Sequence, residues 1–449
     1  MGVYEMSNFH IFHFITAIIL LCCLPCKAVQ EGISVNEHEL ARQILSNKDL
    51  TQVLSMAYDL IGTGMRAGEG YREVWIRDLN TIIELALDVQ KQDDVKQALL
   101  MFFHFQGEDG NIVDGYVDKA RANVSYKYIS SKTMPDYLAH KNTVETDQET
   151  SLIQAVHKYV LKTGNRSILA EKVQNIRVID RLEMAMDFLM THRFNEQYGL
   201  IWGATTMDWG DVQPEHEWGV EMNKESHPAI DVYDNAMFIM AIRDFLDLAG
   251  PEFPKAGKWK AIESNLRENT MKHLWDGERH KFIPHIYLDK GSPWPEYFDE
   301  NRIYYHGGST AAMQADLLSK DQISLVLNDM VNNMQFAGAA TIGITNWPAY
   351  PKGFFKNKSM IPYSYQNSGD WTWWGGRTIQ ELVRHGFVKE AYREILPMVE
   401  RVRKNKGFYE WYTVTNEPRG SGSFRGSAGT LGKAIIMLQQ WARDHKGQK

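Results

Sequence analysis

Glu410 stands among four aromatic residues in the stretch Gly407-Phe408-Tyr409-Glu410-Trp411-Tyr412. A carboxylate in such surroundings needs a partner or a task, because burying it alone is costly. A buried ion pair would supply the partner. The task would be that of a general base that takes a proton from water. A second concentration of acid runs from Gly199 to Asp234. It includes Trp202, Asp208, Trp209, Asp211, Glu215, Glu217, Trp218, Glu221, Asp231 and Asp234. Carboxylates interleaved with Trp and Gly differ from a solvated charge run. Partial burial against aromatics raises a carboxyl pKa, as a general acid requires. Asp208 and Asp211 are the candidates.

Three further segments offer binding groups. In Trp75-Ile76-Arg77-Asp78 an arginine fork, a carboxylate and an indole face could clamp a sugar; the other reading is a helix cap with an ion pair. In Tyr304 to Thr310, His306 could bind a hydroxyl and Ser309 could be a simple cap. In Tyr365 to Arg377, Asn367 and the three residues Trp371, Trp373 and Trp374 stand together. Three Trp within four positions are hard to bury in one helix turn, so some should face a ligand. Arg425 lies in the loop that enters the last helix. Glu145, Asp147 and Glu149 read as ordinary first-turn acids.

Other chemistries fit less well. HExxH, a GxGxxG opening a βαβ unit and a phosphate-binding GxxxxGK[ST] are all missing. The 15 histidines show no metal-ligand spacing. A serine nucleophile would want a strand–turn–helix elbow, and no strand is evident. Two distant carboxylates in aromatic loops suit glycoside hydrolysis, with no metal and no cofactor required. The net charge of −7, from 49 basic and 56 acidic residues, argues against a nucleic-acid partner. The expected partner is a glycan or oligosaccharide, with no obligate protein partner evident.

Helices must position these groups. Helical apolar spacing recurs near 36–61, 78–89, 92–106, 145–163, 167–192, 231–249, 257–273, 308–318, 321–335, 372–385, 387–404 and 427–445. Short joints alternate with long loops at 107–144, 193–230, 274–307, 336–371 and 405–426. Long loops in a compact protein are usually functional. The pattern predicts an all-α fold, an (α/α)6 barrel of six helical hairpins whose long loops gather at one end. With 44% hydrophobic residues among 449, the chain can bury a large core, and no linker divides it.

The apolar run from Phe9 to Pro25, followed by Cys26-Lys27-Ala28, reads as a secretory signal over residues 1–28, with a membrane anchor as the alternative. That leaves a single barrel domain over 29–449, outside the cytoplasm or in a secretory lumen. All three cysteines, Cys22, Cys23 and Cys26, fall in or next to that run, so a cleaved chain would have neither disulfide nor catalytic thiol. Sequons stand at Asn123, Asn165 and Asn357.

These motifs resemble the six-hairpin glycosidase superfamily: glycoside hydrolase family 63, the trehalases of family 37 and the glucosidase domain of glycogen debranching enzymes. The segment Trp75-Ile76-Arg77-Asp78 resembles the Trp-x-Arg-Asp segment that holds the terminal sugar. Trp209-Gly210-Asp211-Val212 resembles a Trp-x-Asp-Ala motif whose Asp is the general acid. Asn235-Ala236-Met237-Phe238 resembles the helix start after that Asp. Gly407 to Tyr412 is similar to the family 63 motif whose Glu is the general base. The resemblance implies an inverting, exo-acting hydrolase of an α-linked glucoside or mannoside. One departure is Asp231-Val232-Tyr233-Asp234-Asn235-Ala236, where relatives carry Gly-x-Asp-Asn/Phe-Ser; under that alignment Asp234 is the acid. Asp208 is a third choice. The superfamily also holds lyases and phosphorylases. A uronate lyase would want a basic cleft, and these loops carry more acid than base, apart from Arg77, Arg302, Arg377 and Arg425. A non-catalytic glycan-binding barrel is the remaining alternative.

Overall fold

The computed structural model describes residues 37–122 and 127–446. The expected signal segment, the cysteines and Asn123 lie outside the described residues. Thirteen α-helices are present among them: α1 (Glu37–Ser46), α2 (Lys48–Ile61), α3 (Ile76–Val89), α4 (Gln92–His104), α5 (Asp147–Thr163), α6 (Val178–His192), α7 (Val232–Ala249), α8 (Ala256–Leu274), α9 (His306–Gln314), α10 (Lys320–Ala337), α11 (Thr372–Arg384), α12 (Val388–Asn405) and α13 (Arg425–Asp444).

Six of them close a ring. Helix α3 packs on α5, α5 on α7, α7 on α9, α9 on α11, α11 on α13, and α13 returns to α3. Their partners α2, α4, α6, α8, α10 and α12 form the outer layer, and α1 lies against α13. This is the expected all-α, (α/α)6 barrel. Outer helices show one apolar stripe, as in α12, where Ala391, Ile395, Met398, Val399 and Val402 are buried. Inner helices are covered on most sides and carry small residues where backbones meet. A Cβ on Gly376 of α11 would come within 2.8 Å of the Leu431 backbone nitrogen of α13.

The chain alternates long and short joints with a fixed sense. Every passage from an outer to an inner helix is long: 62–75, 105–146, 193–231, 275–305, 338–371 and 406–424. Four of the five returns, 90–91, 250–255, 315–319 and 385–387, are shorter than any of these; the fifth, 164–177, equals the shortest, 62–75. All six long passages therefore end at the N-terminus of an inner helix, at one mouth of the ring.

Two helical segments differ from expectation. Residues 36–61 are broken at Asn47, whose side chain accepts from the backbone N–H groups of Asp49 (3.0 Å) and Leu50 (3.3 Å) and so starts α2 anew. Residues 167–177 are not α-helix. A 3₁₀ turn (Arg166–Ala170) leads into a hairpin of Lys172–Val173 and Ile176–Arg177, whose turn residues Gln174 and Asn175 have φ of 50° and 67°. The long passages also carry short strands that the period-2 pattern did not show. Each is five residues or fewer, too brief for alternation to register.

Candidate active site

A cavity of about 720 Å³ opens at the mouth where the inner helices begin. One wall starts at Val74–Trp75, which pairs with Gly115–Tyr116. The Ile76 N–H, first in α3, donates to the Asp114 carbonyl at 2.9 Å. That bond sets Trp75, Arg77 and Asp78 beside Asp114, and all four line the cavity. Arg77 is held from behind. Its guanidinium pairs with Glu145, and its Nε donates to Asp147 Oδ2 at 2.6 Å. Tyr233 donates to the same oxygen at 2.8 Å. The first-turn acids of α5 are thus more than dipole partners: Asp147 fixes the arginine.

Glu410 enters on a hairpin, Tyr409–Tyr412 against Pro418–Gly422, which is hydrogen-bonded to the Glu69–Tyr71 segment beside that wall. The register shifts between Tyr409 and Trp411. Such a bulge re-aims the side chain at its centre. Glu410 Oε1 accepts from Tyr71 Oη at 2.8 Å, and Oε2 from the Ser421 N–H at 2.8 Å. No Lys or Arg among the described residues forms an ion pair with it, so the buried-ion-pair reading finds no partner. Burial pushes its pKa up, the Ser421 and Tyr71 bonds oppose the rise, and the Asp211 charge adds to it. Gly420 makes room: φ is +70° there, and a Cβ would sit 2.4 Å from Glu410 Oε2.

Asp211 lines the same cavity and accepts from Gln366 Nε2 at 2.9 Å through Oδ1. The preceding Trp209 is buried at the centre of an indole cluster. Its ring centroid lies 5.0 Å from Trp371 and 4.9 Å from Trp373, both edge-on. These three residues and Trp411 line the cavity. Asp370 precedes the cluster. It exchanges backbone hydrogen bonds with Tyr412 (2.9 and 2.8 Å) and pairs with the fully buried Arg401 at 2.8 Å. That pair ties the start of α11 to the Glu410 hairpin.

The other two aspartates lie elsewhere. Asp208, at φ +57°, turns into the barrel and accepts the Gly308 N–H through both oxygens (2.8 and 2.9 Å). It closes the first turn of α9, and burial raises its pKa to about 8. Asp234 is buried in the first turn of α7, its N–H donating to the N-cap Asp231 at 2.8 Å. Burial and then the Asp147 charge raise it to about 6. Neither lines the cavity.

Several expected sugar contacts also lie outside the cavity. His306 is buried between the Ile342 carbonyl and Asn333, both at 3.3 Å, and burial lowers its imidazole to about 4. Asn367 donates to the carbonyls of Tyr350 and Met360, each at 3.0 Å, and braces the loop. Trp202 lies under the Arg193 guanidinium at 4.8 Å. Trp374 packs behind Trp209 at 5.6 Å, and Arg377 lies over it. Arg425 donates to the Arg66 carbonyl at 2.9 Å and to Thr63 Oγ1 at 2.6 Å. Of the three tryptophans in four positions, two reach the cavity and one does not. Asn357 is buried, which denies that sequon to a glycan in this fold.

Among the cavity residues that the sequence reading did not single out are Asp114, Tyr71 and Gln366. Asp114 is a lone acid in the apolar run Ile112-Val113-Asp114-Gly115-Tyr116, and burial lifts its pKa to about 8. Tyr71 opens the Trp75 segment and acts through Glu410. Asp78, also on the cavity, is raised to about 7 by burial, with Arg77 opposing and Glu410 adding. Together these groups form an acidic, indole-walled pocket around one neutralised arginine.

A closed ring of helical hairpins with carboxylates and indoles at one mouth defines a catalytic barrel of the glycosidase kind. The model of the glycosyl hydrolase 94 superfamily catalytic domain matches residues 44–372, and the chain belongs to that superfamily. The matched span includes Asp211 and ends before Glu410. The family 63 mannosylglycerate hydrolase from Thermus thermophilus, solved with Tris, is similar at a TM-score of 0.62 and 16% identity, covering 86% of this chain and 99% of that one. The same hydrolase with glucose gives 0.61 and 15%, over 86% and 99%. A rhamnosidase from Klebsiella oxytoca with rhamnose bound gives 0.57 and 15%, over 88% of this chain and 64% of that one. At these identities the likeness is one of fold. Comparison with curated proteins gives no match.

Proposed function

We propose that the chain is an inverting, exo-acting glycoside hydrolase, with Asp211 as general acid and Glu410 as general base. The observation that carries this reading is their placement. Of the three candidate aspartates, only Asp211 shares the cavity with Glu410 and adds its charge to Glu410's electrostatics. Gln366 holds one Asp211 oxygen, leaving the other to deliver a proton to the leaving-group oxygen. Glu410, anchored by Tyr71 and Ser421, takes a proton from a water that attacks the anomeric carbon from the opposite face. Inversion requires room for that water, with carboxyls roughly 6.5–9.5 Å apart.

Asp78, Asp114 and Arg77 hold the hydroxyls of a terminal sugar against Trp75, Trp209 and Trp373. The substrate class is an α-linked glucoside or mannoside. The family resemblance supports it, as do the similar folds of a mannosylglycerate hydrolase and its glucose complex. The site of action is a secretory lumen or the exterior. A panel of aryl-glycosides and short oligosaccharides, with the product anomer followed by NMR, tests the reading. Release of one terminal sugar with inverted configuration is expected. Retained configuration defeats inversion, and saturable binding without release across the panel defeats the hydrolase.

A further inference from the structure

A second cavity, of about 390 Å³, is lined by residues of all six inner helices. Arg77 and Trp373 border both cavities. Most charges in the second are matched. Glu84 pairs with Lys433 at 2.6 Å, Asp244 with His157 at 3.1 Å, Asp316 with Arg243 at 2.7 Å and Glu381 with Arg384 at 2.6 Å. The carbonyls ending α9 are also covered, by Arg384 on Met313 (2.6 Å) and Arg267 on Ala315 (2.6 Å).

Two cations remain. Arg377 is only 9% exposed, and its guanidinium donates to the neutral Gln314 Oε1. Lys158 donates to Asn80 O and Oδ1 at 2.8 and 2.9 Å. Neither forms an ion pair with any described carboxylate. Arg377 is buried and Lys158 half-buried, and neither has a carboxylate in contact; Glu84 and Asp244 act on Lys158, and Glu381 and Asp147 on Arg377, only at longer range. The mouth is open, since the Asp316 and Arg384 side chains are 41% and 38% exposed.

We propose that this cavity binds a small oxyanion, of the phosphate or carboxylate class, between Arg377 and Lys158. An arginine fork and a flexible ammonium together match such a group. Burial lowers the Lys158 ammonium to about 8, with Arg377 adding to the fall and Glu84 opposing it, so an anion here relieves repulsion between the two cations.

The test uses the full chain and inorganic phosphate, with ionic strength held constant by chloride. Thermal unfolding and ³¹P line broadening are the readouts. Phosphate is expected to raise the Tm saturably. Lys158→Met should weaken phosphate binding about tenfold or more, the loss of one charge-assisted contact, and Lys158→Arg should restore most of it. Equal melting in phosphate and chloride overturns the proposal. So does an unchanged phosphate response in Lys158→Met, which would put the anion elsewhere. Arg377→Gln, if it folds, should lose binding as Lys158→Met does. If it does not fold, the two Lys158 variants decide.

Discussion

Glutamine at position 410 separates chemistry from folding. In the wild type, Oε1 accepts from Tyr71 and Oε2 from the Ser421 N–H. Glutamine keeps the volume. Its carbonyl retains the Ser421 bond, and its amide donates to the Tyr71 oxygen once that hydroxyl turns. Two hydrogen bonds survive, and what is lost is proton acceptance. General base catalysis is worth about 10²–10⁴-fold, so kcat should fall by that factor, a barrier increase of about 2.7–5.4 kcal/mol. KM should change much less, because the lost interaction belongs to the transition state. The stability effect has a definite sign. Burial raises the Glu410 pKa above its ordinary 4.5. Its contribution to stability is therefore present below 4.5 and lost as pH rises through the folded value. Glutamine cannot ionise, so at pH 7 the variant should melt no lower than the wild type. Azide should restore turnover as a small nucleophile that needs no base. Steady-state kinetics on a matching aryl-glycoside, with a melt beside them, decide the matter. A well-folded variant with near-normal kcat refutes the role of Glu410.

Other perturbations separate the roles of its neighbours. Asp211→Asn should lower kcat strongly on substrates with poor leaving groups and much less on activated aryl-glycosides, since only the former need a proton; equal losses on both would remove Asp211 as the acid. Asp208→Ala strands the Gly308 N–H, so it should cost about 1–3 kcal/mol in a denaturant melt while the folded fraction keeps its kcat. Gly420→Ala puts a methyl against Glu410 Oε2 at a positive φ; kcat should fall by tenfold or more and stability by about 1–2 kcal/mol, and a fully active variant would show that the hairpin does not aim the base. Asp78 and Asp114 are raised from 3.8 to about 7 and 8. Their contribution to stability is complete below pH 3.8 and declines as pH rises toward 8, so Asp114→Asn should flatten that decline in melts between pH 5 and 9.

The architecture was legible because it rests on periodicity. Inner and outer helices both repeat apolar residues at helical spacing, and the contrast of long and short joints marks which end collects the loops. The break at Asn47 was not legible, since an asparagine within an amphipathic run reads equally as surface. Glu410 stood out because an acid flanked by aromatics on both sides contradicts ordinary packing, and it lies on the cavity. Acid candidates could not be ranked, because chain direction decides between them and spacing does not. Asp208 and Asp211 are three apart, yet a positive φ at Asp208 turns its carboxylate onto the start of α9 while Asp211 faces the cavity. His306, Asn367, Trp374 and Arg425 mislead for a related reason. Polar and aromatic residues that brace a loop have the same composition as those that touch a ligand. Asp114 escaped notice because its importance is positional: its backbone anchors α3, and only the pairing of Gly115 with Trp75 brings it to the site.

The charge of the pocket also bears on which of the barrel chemistries it can run. Phosphorolysis and uronate elimination both place an anion beside the anomeric carbon or C5. Such an anion needs a cation with charge to spare. The arginine at the catalytic cavity has none, because Glu145 and Asp147 already pair with it from behind. Arg419, at the rim, pairs with Glu417 at 2.6 Å. Asp78, Asp114, Asp211 and Glu410 meanwhile line the same space. Burial keeps Asp78 and Asp114 protonated up to about 7 and 8. In that state each donates one hydrogen bond and accepts others, which suits neutral sugar hydroxyls and offers nothing to a second anion. Under the proposed function, this electrostatic balance favours water over an anionic nucleophile beside Glu410.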